Sequence, residues 1–274
     1  MDLNQLHKMS DELEIFLRMR FHPIAIKMLK SRDEVPEGAI IPSRDWKHKY
    51  SQCQTFARSQ RDGLTIAMFL EDSWCPEPVM GYGFVEKTKY FTDGTHRYPD
   101  SVRTLEAGGV WCSNMPTFDY GKYVGIVSAP LGSCNFEPDL IMMHVNGLQT
   151  SQLCIIKNWM DGKDLHCQIS GHAACVYGVV PAIKNDECYV AIPCKGDRRL
   201  AGAQDDEVIF AMPPRMLPDF IEGIHFLQDK TWGLPLKLAL KEEYDTKPGY
   251  KKFAEKIGMD MRQSPPREQK YQHI

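Results

Sequence analysis

Cys53, Cys75, Cys175 and Cys194 stand at positions where a sulfur can meet a metal. Cys53 begins the helical stretch Gln54 to Gln60, and Cys175 follows Gly171-His172-Ala173-Ala174 at the start of another that runs to about Ile183. A cysteine at a helix start lies beside unsatisfied backbone N–H groups and the positive end of the dipole. Both favour the thiolate, which is the form that binds metal. Cys75 precedes Pro76 and Cys194 precedes Lys195-Gly196, each just past an apolar strand, where the chain turns away and leaves its sulfur accessible. Together these placements predict a thiolate site assembled from distant segments, and soft thiolates select zinc, copper(I) or iron–sulfur clusters. The chain has no Cys-x-x-Cys pair and no ferredoxin-type run. Close pairs preset the zinc tetrahedron, so widely spaced single cysteines point to a [4Fe-4S] cluster inside a folded scaffold, with zinc as the alternative.

Neighbouring side chains add binding and acid–base chemistry. Arg58 follows Cys53 by about one helical turn, and Arg198 follows Cys194. Either guanidinium could hold a carboxylate or phosphate in a bidentate fork, or offset the negative charge of a thiolate-ligated cluster. Arg198 and Arg199 could equally order their loop by pairing with Asp205, Asp206 and Glu207. His172 is a candidate ligand or general acid, and His144, in an apolar strand, reads as a satisfied core histidine. Tyr82, Trp111 and Tyr120 offer aromatic walls, although such residues more often simply pack. No Walker or Rossmann fingerprint, Gly-x-Ser-x-Gly or His-Glu-x-x-His occurs, which leaves the classes known by those motifs unsupported.

Those residues need a scaffold, and the chain is long enough for one. Its 274 residues are 43% hydrophobic, sufficient for a full core. Nine cysteines is an odd number, and the N-terminus lacks a basic segment ahead of an apolar one, so a disulfide framework and a secretory signal are not expected. The charge is nearly balanced at -3 with no polybasic stripe, which disfavours nucleic acid as the partner. The longest apolar runs are too short to span a bilayer. A cytoplasmic protein with a small-molecule partner is expected, with a homo-oligomer left open.

Asn4 to Met19 carries apolar residues at helical spacing. A Pro-led strand follows at Pro23 to Leu29, then the helix from Cys53, a turn at Arg61-Asp62-Gly63 and a strand at Leu64 to Leu70. Residues 79–120 read as mostly irregular, and Tyr123 to Ala129 as a strand. The second half repeats the pattern: a Pro-led strand to Val145, a turn at Asn146-Gly147, a helix from Gln149 to Met160, then the helix from Cys175, shortened by Pro181. Cys188 to Ile192 and Val208 to Met212 read as strands, and Pro214 to Gln228 as a helix. Cys53 and Cys75 are 22 positions apart, Cys175 and Cys194 are 19 apart, and a pseudo-two-fold would bring all four to one axis. The expected fold is α/β, with α+β as the alternative: a mixed sheet built from two strand–Cys–helix–strand–Cys units with flanking helices. One domain over 1–225 holds both halves, about 20–80 and 136–213, and 226–274 is a peripheral helix and tail.

Several of these segments resemble the DUF169 family. They are Pro23 to Lys27, Cys53-Gln54 with Ala57-Arg58, Cys75, Pro138-Asp139 with Gln149, Cys175, and Cys194-x-Gly196-Asp197-Arg198 leading to Asp206-Glu207 and Pro213. The resemblance covers roughly residues 15–225, matches poorly over 79–135, and singles out the same four cysteines. Cys112, Cys134, Cys154, Cys167 and Cys188 fall outside its pattern. It implies a protein of archaea and anaerobic bacteria, which suits an oxygen-sensitive centre, and it carries no established activity. The resulting expectation is a cluster-dependent enzyme acting on a small anionic or aromatic molecule, with His172, Arg58 and Arg198 as catalytic candidates and Arg58, Gln149 and Arg198 as substrate contacts. If three cysteines ligate, the open iron is a Lewis acid suited to hydratase, dehydratase or lyase chemistry. The alternatives are a non-catalytic metal- or redox-sensing or electron-transfer protein and a zinc-stabilised accessory protein.

Overall fold

Apolar runs with β-branched residues and methionine form the strands β1 (Ile24–Leu29), β2 (Ile66–Phe69), β3 (Gly125–Pro130), β4 (Leu140–Asn146), β5 (His166–Cys167), β6 (Tyr189–Ala191) and β7 (Glu207–Met212). The computed structural model describes residues 2–228 and 248–259. The strands form one sheet in the order β2-β3-β1-β4-β7-β6-β5. All neighbours are antiparallel except β5, which runs parallel to β6 at the edge. The helices are α1 (Leu3–Leu17), α2 (Pro42–Asp45), α3 (Gln52–Asp62), α4 (Pro76–Gly81), α5 (Lys89–Thr92), α6 (Leu105–Asn114), α7 (Gly147–Asp161), α8 (Ala174–Asn185), α9 (Lys195–Leu200), α10 (Leu217–Gln228) and α11 (Pro248–Lys256). The chain falls into two compact units, Met1–Leu234 and Pro235–Ile274. The described part of the second contains α11, and the rest of the expected tail lies outside the described residues.

Strand alternation assigns the two faces of the sheet. Ile24, Ile26 and Met28 of β1, with Met142 of β4 and Ile209 of β7, share a core with Phe56 of α3 and Val176, Val179 and Val180 of α8. Phe210, one residue on from Ile209, points the other way and meets Phe220 of α10 edge to face, with ring centres 6.0 Å apart. Helix α10 packs in turn against α1 and α7.

The sheet order contains the same trio twice, reversed about the central β1–β4 pair. In each trio the chain visits the central strand first (β1, β4), the outer strand next (β2, β6) and the middle strand last (β3, β7). Pro130 and Pro213 stand at matching strand ends, each followed by a 3-10 turn, Leu131–Ser133 and Pro214–Met216. One helix precedes each outer strand (α3, α8) and one follows it (α4, α9). The contacts cross between the trios: α3 packs on α9 and α4 on α8. The two strand–Cys–helix–strand–Cys units are thus related by a topological two-fold.

Several segments differ from the sequence reading. Residues 79–120, expected to be irregular, contain the end of α4 together with α5 and α6. The Gly108-Gly109 pair of α6 hides its helical character, yet a Cβ on Gly108 would lie 2.7 Å from the Gly94 carbonyl oxygen, so the glycine permits a close backbone crossing. Pro181 lies inside α8 instead of shortening it. Every residue from Ala174 to Ala182 is buried, and that packing offsets the roughly 3 kcal/mol a helix-interior proline costs. Asn146-Gly147 is a helix start rather than a turn, with Asn146 and Gln149 forming a capping box on α7. Lys195 to Leu200 is helical, and the two-residue strand β5 was too short to leave a periodic signal.

Candidate metal centre

Each of the four cysteines is placed by a helix start. Ser51 caps α3 through a capping box with Gln54, which sets Cys53 as the second helical residue with its Sγ 3.0 Å from Ser51 Oγ. Cys175 is the second residue of α8, after Ala173 turns the chain through the left-handed region at φ 52. Cys75 and Cys194 are the N-cap residues of α4 and α9. The Cys194 N–H donates to Asp197 Oδ2 at 3.2 Å, closing a capping box that fixes the turn.

All four cysteines line one cavity of about 250 Å³, with Glu77 and His172 beside them. Gly196 keeps part of that space open. A Cβ placed there would lie 3.5 Å from Cys194 Sγ and 3.9 Å from Cys53 Sγ, between two sulfurs from opposite halves of the chain. Burial pushes the Cys53 thiol up to about 12, helped by Asp197 and by Cys194 and Cys75. Burial and then Cys194 push Cys75 up to about 11, against the opposing pull of Arg97. Cys175 is raised well above the ordinary thiol range, by burial first and then by Asp197 and the other three thiols. Cys194 is raised by burial and by Asp197. Desolvation therefore outweighs the helix-end effect expected from sequence. Thiolates gathered in such a place need a cation among them, and a bound metal provides that compensation.

The donor set suits a soft, thiolate-loving centre. Among the described residues, no group of three or more His, Cys, Asp or Glu side chains is placed to hold a metal ion. A zinc tetrahedron would bring its sulfurs to about 4 Å of one another.

Comparison with known proteins bears on the chain as a whole. The model of the family DUF169, described as uncharacterised ArCR, matches residues 12–223. The chain belongs to the DUF169 family. An uncharacterized protein of Methanocaldococcus jannaschii is 24% identical to this DUF169 chain over 248 residues, spanning 85% of this chain and 100% of the relative. No solved structure matches. The span matched by the DUF169 model includes all four cavity cysteines.

Other candidate residues of this DUF169 protein are placed elsewhere. Arg58 lies over the rings of Trp46 and Tyr50 at 4.8 and 5.6 Å and pairs with Asp62. Gln149 caps α7 and donates to the Leu17 carbonyl at 2.7 Å, tying α7 to the end of α1. Arg198 donates to the Gln204 carbonyl at 2.7 Å and faces Asp205, which is the loop-ordering role. None of these three lines the cavity, whereas His172 does. The Nδ1 of His144 is buried without a hydrogen-bond partner among the described residues, so that histidine is not satisfied. Tyr82 is fully buried and donates to the Cys175 carbonyl at 3.2 Å, Tyr120 is exposed, and the Trp111 ring packs on Arg97. Arg97 and Glu77, which pair with each other beside the cavity, went unnoticed in the sequence. Arg97 sits in the stretch read as irregular and Glu77 just before it, and no spacing marks them.

No helix among the described residues is long and apolar enough to cross a membrane.

Proposed function

We infer that this DUF169 protein holds a [4Fe-4S] cluster on Cys53, Cys75, Cys175 and Cys194 and acts in the cytoplasm, in anaerobic metabolism, on a small anionic or aromatic molecule. One observation carries the reading: four cysteines spread over the two topological halves line the same cavity. Buried free cysteines are common as small apolar residues, and that explanation accounts for Cys134 and Cys188, whose sulfurs meet the Leu131 carbonyl and Met216 Sδ. It does not account for four thiols converging with a glycine held between two of them. If only three of the four ligate, the iron left open would supply a Lewis acid for a hydroxyl or carboxylate, which suits hydration, dehydration or lyase chemistry; if all four ligate, electron transfer or a structural role fits instead. The protein's own part is to exclude bulk water around the thiols, to hold the helix starts in place, and to present Glu77 and His172 to whatever enters.

The test is anaerobic purification or reconstitution followed by iron and sulfide analysis. About four irons per chain are expected, and each of Cys53→Ser, Cys75→Ser, Cys175→Ser and Cys194→Ser should lower that content, while Cys154→Ser and Cys167→Ser leave it unchanged. Colourless protein with one zinc per chain overturns the cluster. If a single one of the four cavity variants keeps its iron, that cysteine is not a ligand and an iron is open.

A further inference from the structure

Arg97 lies between α5 and α6 and is only 8% exposed. A guanidinium keeps its charge and has donors only. It stacks on the face of Trp111 at 4.0 Å, pairs with the Glu77 carboxylate, and places Nη1 3.2 Å from His172 Nδ1. Because Nη1 cannot accept, His172 Nδ1 is the acceptor in that contact, and the proton of the neutral ring is assigned to Nε2. The ring is held in place as well. Trp111 meets it edge to face at 5.6 Å, and Ser170 Oγ accepts both from Trp111 Nε1 at 3.2 Å and from the His172 backbone N–H at 3.4 Å. Adding a second proton is disfavoured by burial and by the nearby Arg97 and Lys195 charges, all of which push the His172 pKa down.

The result is a neutral imidazole whose Nε2–H makes no hydrogen bond to another described residue, on a side chain that lines the cysteine cavity. Lys195 lines the same cavity. Glu77 already pairs with Arg97, whereas Lys195 makes no ion pair with another described residue.

We propose that His172 Nε2–H and the Lys195 ammonium form an oxyanion-binding pair that selects small carboxylic acids at the cysteine cavity, with Arg97 as the positioning residue that fixes the His172 tautomer. This deepens the reading of the cavity as a substrate site and names its substrate class. A donor N–H and an ammonium recognise a carboxylate oxygen and leave a cationic or purely apolar molecule without a partner.

The experiment uses full-length protein with 15N-labelled histidine, its His172 signals assigned through His172→Gln. The expected spectrum near neutral pH shows the Nε2–H tautomer alone. Arg97→Met should yield a mixture of tautomers, and Arg97→Lys, which keeps a donor, should restore the single form. Acetate, malonate or succinate should then shift the His172 Nε2 signal saturably, at least tenfold more weakly in Lys195→Met, whereas succinamide should not. A dominant Nδ1–H tautomer or imidazolium in the parent protein overturns the proposal, as does the absence of a saturable shift with all three acids. Lys195 is exposed at a helix start, so its variant supplies the binding test even if Arg97→Met fails to fold. Iron content is measured on the same samples. Loss of iron with acid binding retained counts against the cluster alone, and full iron without acid binding counts against this pair alone.

Discussion

At the scale of single residues, the cavity separates what the fold needs from what a metal needs. Gly196 sits inside α9, where glycine costs roughly 0.5–1 kcal/mol relative to alanine. A Cβ at this position meets the two sulfurs at ordinary contact distance, 3.5 and 3.9 Å. Gly196→Ala should therefore leave the metal-free fold as stable as before or raise it by up to about 1 kcal/mol. The same methyl occupies the space between Cys53 and Cys194, so iron uptake should fall. Urea unfolding and iron analysis on one preparation separate the two effects, and a variant that keeps its full iron would show that the space is not used. His144 makes a different point. Burial holds its ring neutral and its pKa below the usual value of about 6.5, with Asp197 opposing and Arg61 adding to the shift. The folded state then binds fewer protons than the unfolded chain in the window below that value, so stability is complete above it and falls as the pH drops through it. His144→Leu removes the group and its orphaned Nδ1. The drop in unfolding midpoint between neutral and mildly acidic pH should be smaller in the variant than in the parent.

At the scale of elements, the site depends on how closely α4 and α8 cross. A Cβ on Gly81 would meet Val176 Cγ1 at 2.6 Å and Cγ2 at 2.7 Å. Valine is stiff at χ1 and cannot swing aside cheaply. Gly81→Ala should cost about 1–3 kcal/mol as an overpacked contact and push Cys75 away from Cys175, so thermal stability and iron content fall together. Adding Val176→Ala should recover most of both, and a double variant as damaged as the single one would refute the contact. These elements differed in how legible they were. The Pro-led strands, α1, and the helices around Cys53 and Cys175 could be read because apolar spacing and caps are local signals. The α4–α6 region could not, because Gly108 and Gly94 are there for a backbone crossing that joins residues far apart in sequence. The same limit hid Arg97, whose meaning lies wholly in its contacts with Glu77, Trp111 and His172. Arg58 and Gln149 showed the reverse problem: both stand next to conspicuous residues in sequence, yet their side chains serve an aromatic cage and an inter-helix tie.

At the scale of the whole molecule, the two trios of strands meet only along β1–β4 within the sheet, and the crossed contacts of α3 with α9 and α4 with α8 join them a second time. The cysteine cavity lies at that second junction, drawing Cys53 and Cys75 from one half and Cys175 and Cys194 from the other. A metal centre bound there links both halves, and whatever binds the folded state alone stabilises all of it by mass action. Loading with iron and sulfide should therefore raise the unfolding midpoint of the whole sheet in a single step, instead of splitting the transition into a stabilised half and an unchanged one. Cys53→Ser and Cys175→Ser occupy equivalent helix positions in opposite halves, so each should abolish that rise to the same extent. Calorimetry of loaded and metal-free protein gives the answer. Two separate transitions, or a rise lost in one variant and kept in the other, would place the metal within one half and leave the topological two-fold without a role in holding it.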